Sequence, residues 1–338
     1  MEYRLLGKTG LKISRLGFGG IPIQRIDAEG TKLLMHKLVE QSVNFIDTAR
    51  YYTVSEEYLG YALEGIRDKF VLATKSMARD KDGMAKDVDT SLRNLRTDYI
   101  DLYQFHNPGA KDLEQILAPG GALEALREAK QAGKIGHIGI TLHSADLFRQ
   151  VLDFDWVETI MFPYNIVETQ GEDMIKACKE KNIGFICMKP MAGGALDDAT
   201  LALRYICQND AVSVVIPGMA EEKEIMQNVA AVEDTSSLTA AENAAIAAIR
   251  KDLGTQFCRR CNYCAPCTVG IPISLVFLVE GYYKRYDLKD WAVTRYKGMA
   301  KQASDCIECG VCEIRCPYNL PIREMLKAAD RTFAEAEE

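Results

Sequence analysis

Three short stretches decide the reading of the fold: Asn44–Ala49 (NFIDTA), Phe70–Ser76 (FVLATKS) and Tyr99–His106 (YIDLYQFH). Each is mostly apolar until near its end, where a polar side chain stands: Asp47, Lys75 and His106. Runs of this kind describe strands covered on both faces, as in a parallel sheet. Similar runs occur at Ile13–Gly19, Ile135–His143, Thr159–Asn165, Gly184–Pro190 and Val212–Gly218, which brings the set to eight. Helical patterns separate them, among them Glu56–Gly65, Lys86–Leu95, Leu123–Ala132, Glu172–Lys181 and Leu201–Gln208. Eight strand–helix units predict an α/β fold, a (β/α)8 TIM barrel. The opening Tyr3–Ser14 segment, with Gly7 and Gly10 at its turn, reads as a hairpin capping the barrel bottom. A doubly wound open sheet is the alternative. It should carry G-x-G-x-x-G after its first strand, and no such phosphate loop is present.

The whole chain has 338 residues, 48% hydrophobic and 26% charged, which suits a sizeable core and excludes a disordered or collagen-like chain. Its longest apolar stretch, Ile273–Val279, falls far short of the roughly 20 residues a membrane span needs. The N-terminal MEYRLLGKTG has no apolar signal-peptide core, so we expect a cytoplasmic protein without a membrane partner. A net charge of −7 argues against nucleic acid. The unusual count is 11 cysteines, which in such a chain point to metal ligation rather than disulfides. Eight of them follow residue 257, so the expected domains are 1–254, the barrel, and 255–338, a thiol-dense tail. Cys178, Cys187 and Cys207 stand singly in apolar surroundings and read as small core residues.

In a barrel of this kind chemistry sits where strands end and the following loops begin. Asp47, Lys75 and His106 occupy such ends, and Tyr52 lies in the loop after Asp47. Each has an ordinary reading as well. Asp47 or Thr48 could cap a helix, Lys75 could be solvated, and His106 could be a hydrogen-bonded core residue. A carboxylate, an ammonium, an imidazole and a phenol converging on one mouth favour a catalytic set.

With those residues in place, SVNFIDTARYY, FVLATKS and SLRNLRTDYIDLYQFH resemble the signature regions of the aldo-keto reductase family. The likeness runs from about Tyr3 to Asn228. It implies hydride transfer between a nicotinamide cofactor and a carbonyl or alcohol, with the family's tetrad on Asp47, Tyr52, Lys75 and His106. Charge builds on the substrate oxygen as hydride adds, so a donor must protonate it. A phenol with a pKa near 10 is a poor donor at neutral pH unless a cation lowers it. Tyr52 is thus the expected general acid, Lys75 its tuner, Asp47 the support of Lys75, and His106 the residue that orients the substrate. Tyr51 is the rival acid.

The same resemblance implies cofactor contacts from the later strands. Thr141 stands in a Ser position of the family pattern, with His143 beyond it, and Asn165 stands where an amide meets the nicotinamide. Met188, Lys189 and Pro190 occupy the end of the seventh strand, where Met188 replaces a stacking aromatic. Met161 replaces a Gln four residues before Asn165. Gly218, Glu224 and Asn228 fall where the adenosine phosphates and adenine are held. Glu224 stands where relatives that prefer NADPH place a cation, so NADH is favoured. A solvated acidic helix start is the plainer reading of that segment.

In the tail, CIECGVCEIRCP is C-x2-C-x2-C-x3-C-P, the ligand run of bacterial ferredoxins. CRRCNYCAPC is a second group with its last spacing shortened and Thr268 in place of the Pro. Crossed ligation gives one 4Fe–4S cluster on Cys258, Cys261, Cys264 and Cys316. A second takes Cys267, Cys306, Cys309 and Cys312. Four-thiolate zinc is the competing assignment. Ile271–Ala300 between the groups reads as helical and aromatic-rich. The combination resembles bacterial aldo-keto reductases with a ferredoxin-like C-terminal domain. A hydride carries two electrons and each cluster accepts one, and no flavin motif bridges them. The clusters therefore read either as staples for a small domain or as carriers exchanging electrons with a ferredoxin-type partner. An NAD(P)H-dependent carbonyl reductase is the expectation. A nicotinamide or redox sensor is the alternative, although it would have no need of a Tyr/Lys pair.

Overall fold

The computed structural model describes residues 1–254 and 256–336. They form two compact units, Met1–Met191 with Asp198–Leu238, and Ala192–Asp197 with Thr239–Glu338. Helix Ala240–Leu253, which lies before the expected limit at 254, packs with the second unit.

In the first unit β1 (Tyr3–Leu5) and β2 (Lys12–Ser14) form an antiparallel hairpin, with Gly7 and Gly10 at positive φ. Then follow β3 (Gly17–Gly19), β4 (Phe45–Asp47), β5 (Val71–Ser76), β6 (Ile100–His106), β7 (Ile135–Thr141), β8 (Thr159–Pro163), β9 (Gly184–Met188) and β10 (Val214–Ile216). These eight are parallel and lie side by side in chain order. Bridges Leu16↔Val215 and Gly19↔Gly218 bring the last strand against the first, which makes a (β/α)8 barrel.

One expectation is corrected here. Ile13–Gly19 is not one strand. Its first part belongs to the hairpin and its last three residues to the barrel. An apolar run cannot announce that break, because both pieces are buried. The later strands also end earlier than their apolar runs, β7 at Thr141 and β9 at Met188, because the following residues turn into loops.

The strand period of two sorts the side chains. Phe45, Ala73, Leu102, Met161, Ile186, Val214 and Ile216 point into the barrel, where Leu6 and Ile13 of the hairpin segment join them. Two residues further along the same strands come Asp47, Lys75 and Gln104, also buried. The opposite faces, with Ile46, Leu72, Tyr103 and Phe105, pack against the helices in a larger core.

Helix Ser55–Ala62 carries Gly60 where it meets the end of helix Lys81–Asn94. A Cβ on Gly60 would lie 2.1 Å from the Asn94 carbonyl oxygen and 2.9 Å from Leu95 Cα. In the second unit a separate apolar core gathers Ile273, Val276, Phe277, Tyr296, Leu326 and Phe333, with Cys312 and Cys316 among its buried residues. The Ile271–Ala300 stretch forms two helices, Ile273–Lys284 and Lys289–Lys297, and Asp287 between them is at φ 51°. Among the described residues no helix is long and apolar enough to cross a membrane.

Gly60→Ala tests the close helix approach. Helix propensity alone would stabilise by about 1 kcal/mol. The overlap with backbone atoms costs about 1–3 kcal/mol and decides the sign. The urea midpoint should fall, and a rise would mean that the helices have room between them.

Candidate functional site

The mouth of the barrel holds a buried ion pair. Lys75 Nζ donates to Asp47 Oδ2 at 2.5 Å and to the Thr48 carbonyl at 2.8 Å. Gln104 Nε2 donates to the other Asp47 oxygen at 3.1 Å. Asp47 therefore serves Lys75 and does not cap a helix. Thr48 does not cap one either: its hydroxyl pairs with Ser55 Oγ at 2.7 Å. Burial is the leading influence on both charges. It raises the Asp47 carboxyl and lowers the Lys75 ammonium, and their mutual attraction opposes both shifts. The Lys75 ammonium sits 4.8 Å from the centroid of the Tyr52 ring. His106 meets the same ring edge-on at 5.9 Å. Tyr51 stands 6.3 Å from His106 and is 46% exposed, whereas Tyr52 is 8% exposed.

Two buried residues of this region carried no signal in the sequence. Gln104, fully buried, is the inward neighbour of His106 on β6. Glu56, 1% exposed, lies behind the Tyr52 loop and accepts from Arg50 Nη1 at 2.6 Å and Thr74 Oγ1 at 2.8 Å.

The residues expected to hold a cofactor occupy several settings. Thr141 ends β7 beside His106, and its hydroxyl accepts from the Asn107 N–H at 3.0 Å. Asn165 is fully buried, and its amide is engaged on all sides. Nδ2 donates to Glu168 Oε2 at 2.8 Å and to the Lys189 carbonyl at 2.9 Å, while Oδ1 accepts from the Val167 and Glu168 N–H groups. An N–H from Asn165 reaches a nicotinamide only once one of those acceptors lets go. Glu168, a fully buried carboxylate, is a third residue the sequence reading missed.

Met188 reaches the inner core of the barrel, as does Met161. Lys189 turns the chain at φ 55°, and Pro190 is buried. Gly218 meets the Pro22 ring, whose Cγ would lie 2.6 Å from an added Cβ. Glu224 accepts from the Ala220 and Glu221 N–H groups at 2.7 and 3.0 Å, capping helix Glu222–Glu233. Lys223 pairs with Glu221 at 2.6 Å, and Asn228 is buried on that helix.

The eight tail cysteines line two hollows. Cys258, Cys261, Cys264 and Cys316 border one of about 320 Å³, and Cys267, Cys306, Cys309 and Cys312 border one of about 340 Å³; both figures include space open to solvent. Among the described residues no three His, Cys, Asp or Glu side chains converge closely enough for a single metal ion. Four thiols in the ferredoxin spacing around each hollow suit an iron–sulfur cubane.

The backbone repeats between the two groups. Arg260 and Glu308, each just before a second Cys, have φ 58° and 56°; Asn262 and Gly310, each just after it, have 65° and 74°. Gly270 and Asn319, three residues past the fourth Cys, have 87° and 51°. Pro272 and Pro321, two residues on again, open helices with near-identical φ/ψ of −79°/70° and −76°/68°. Cys267 is thus the structural counterpart of Cys316, despite the shortened spacing and Thr268. The Thr268 hydroxyl lies 3.3 Å from Cys309 Sγ.

Comparison with known proteins agrees with this geometry. The aldo/keto reductase family model matches residues 15–200. The chain belongs to the aldo/keto reductase family. A 4Fe-4S dicluster domain model matches residues 257–321 of this reductase, over both cysteine groups. L-galactose dehydrogenase from Arabidopsis thaliana is 31% identical over 70% of this chain and 90% of its own length. The aldo-keto reductase YhdN of Bacillus subtilis is 30% identical over 59% of this chain and 66% of its own. The holo form of an aldo-keto reductase from Bacillus halodurans superposes with a TM-score of 0.65 at 28% identity, covering 74% of this chain and 96% of that one.

Lys75→Met should leave the Asp47 carboxylate buried without its cation, a loss of about 3–5 kcal/mol by urea denaturation. Acid neutralises that carboxylate in the folded variant, so the deficit against the parent shrinks as pH falls through the raised Asp47 pKa. It grows again on the alkaline side. Asp47→Asn added to Lys75→Met recovers part of the stability. A deficit independent of pH would mean that Asp47 is not charged there.

Proposed function

We propose that this aldo/keto reductase reduces an aldehyde or ketone, or oxidises the corresponding alcohol, with a nicotinamide cofactor and Tyr52 as general acid. The observation that carries this reading is the ammonium of Lys75 held over the Tyr52 ring by a buried carboxylate and a carbonyl. The bound cofactor supplies or takes up the hydride. Tyr52 holds the proton on its phenol oxygen and gives it to the substrate oxygen as charge develops there. Lys75 favours the phenolate left behind, so that the transfer costs less at neutral pH. Asp47 keeps the ammonium oriented, and Gln104 fixes the second oxygen of Asp47. The edge-on ring of His106 faces the same phenol and would orient the substrate oxygen.

Thr141, Asn165, Met188, Lys189, Pro190, Gly218, Glu224 and Asn228 would hold the cofactor. The family resemblance puts Glu224, not a cation, at the helix start where relatives that prefer NADPH meet the 2′-phosphate, which favours NADH even though Glu224 caps the helix and Glu221 pairs with Lys223. One relative is named L-galactose dehydrogenase, which puts sugars and the oxidative direction among the first to assay.

We further propose two 4Fe–4S clusters, on Cys258, Cys261, Cys264 and Cys316 and on Cys267, Cys306, Cys309 and Cys312. The two lined hollows and the repeated backbone support it. Cys312 and Cys316 belong to the apolar core of the second unit, which fits clusters that staple a small domain. Cys309 is exposed, and a one-electron partner would meet the second cluster there.

Tyr52→Phe should abolish steady-state reduction of test aldehydes while fluorescence titration shows unchanged NADH binding. Full activity in that variant would move the acid role to Tyr51 or remove it, and equal kcat/KM with NADPH would overturn the cofactor preference. For the clusters, Cys267→Ser and Cys306→Ser should damage the same low-temperature EPR signal, and Cys258→Ser and Cys316→Ser the other. Pairing within each consecutive group of four would refute the crossed ligation.

A further inference from the structure

Glu56 is a buried carboxylate of the barrel that the proposed chemistry leaves unused. It sits in the first turn of helix Ser55–Ala62 and is 1% exposed. Four donors from three places converge on it: Arg50 Nη1 at 2.6 Å, Thr74 Oγ1 at 2.8 Å, Ser91 Oγ at 2.8 Å and Asn94 Nδ2 at 3.4 Å. Arg50 belongs to the loop that carries Tyr52. Thr74 is the outward neighbour of Lys75 on β5, and Ser91 and Asn94 lie on helix Lys81–Asn94. The Arg50 N–H also donates to the Lys75 carbonyl at 3.0 Å. The arrangement is costly unless it is complete, because a buried carboxylate needs every one of its donors.

We propose that Glu56 is a positioning residue that fixes the Tyr52 loop to the Lys75 strand and so sets the register of phenol and ammonium. It touches neither substrate nor cofactor and acts through Arg50 on one side and Thr74 on the other. Backbone bonds from the Thr48 and Arg50 N–H groups to the Ala73 and Lys75 carbonyls hold the start of the loop to that strand, and Glu56 adds a side-chain tie nearer to Tyr52. The bonds from Tyr52 N–H to Ala49 and from Ser55 N–H to Tyr52 are internal to the loop, and Ser55 Oγ ties it to Gly20 instead. Losing the carboxylate would let the loop shift relative to Lys75, and a shift on the scale of an ångström matters for proton transfer.

This inference rests on Tyr52 being the general acid, and the experiment separates the two. Glu56→Gln in the full-length, iron-replete protein should lower kcat roughly 10- to 100-fold. NADH affinity by fluorescence should stay unchanged, and the solvent isotope effect on kcat should rise as proton transfer becomes limiting. In the Tyr52→Phe background, single-turnover rates should show no further loss on adding Glu56→Gln, because the residue acts only through that phenol. Ser91→Ala removes one donor and keeps the carboxylate paired with Arg50. It should produce a smaller loss of kcat in the same sense, which preserves the test if Glu56→Gln fails to fold. Unchanged kcat in both variants, or losses that add fully to those of Tyr52→Phe, would overturn the role of Glu56. Full activity of Tyr52→Phe would instead overturn the acid assignment itself.

Discussion

The mouth of the barrel depends on one constraint: Lys75 and Asp47 are buried charges that are stable only together. Each charge loses hydration in that place, and what makes burial tolerable is the 2.5 Å contact between them, completed by the Thr48 carbonyl on Lys75 and the Gln104 amide on Asp47. Because both side chains stand on adjacent parallel strands, the pair holds only if the register between β4 and β5 is kept. A slip of one residue in either strand would turn its charge into the helix layer and leave the other buried alone. The ammonium is left pointing at the Tyr52 ring as a consequence of that packing. Stability and the proposed proton chemistry therefore draw on the same contact.

The second unit solves a different problem. Its apolar core is small, and two of the buried residues in it are cysteines. A short segment with eight thiols gains little from hydrophobic burial alone, and metal–sulfur bonds would supply the cross-links. The repeated left-handed residues at Arg260 and Glu308, and at Asn262 and Gly310, turn the chain tightly enough for thiols three apart to face one hollow. Non-glycine residues in that conformation carry strain, which the same turns accept in both halves.

Much of this was legible in the residues. NFIDTA, FVLATKS and YIDLYQFH announce strand ends with polar side chains, and the (β/α)8 barrel, its hairpin cap and the position of the tail follow from the pattern. The C-x2-C-x2-C runs announce their chemistry by spacing alone. Other features were silent. Glu56, Gln104 and Glu168 look like ordinary polar residues in sequence, since their burial comes from elements far away in the chain. Ile13–Gly19 hid a strand break because its polar residues Ser14 and Arg15 are buried in the fold along with the apolar ones. At Asn165, Gly218 and Glu224 the family resemblance suggested a cofactor contact, while in the fold each also serves its own chain, as a loop clamp, a seat for Pro22 and a helix cap.

The sequence by itself determined what depends on near neighbours: strand and helix periods, which side chain ends each strand, and the reach of thiols held two or three residues apart. Tertiary structure alone decided which of two adjacent tyrosines lies buried under the ammonium, and which donors surround a buried carboxylate. Those choices belong to pairs of residues separated by many positions. Their energies come from desolvation and close charge contact, which exist only once the barrel has closed.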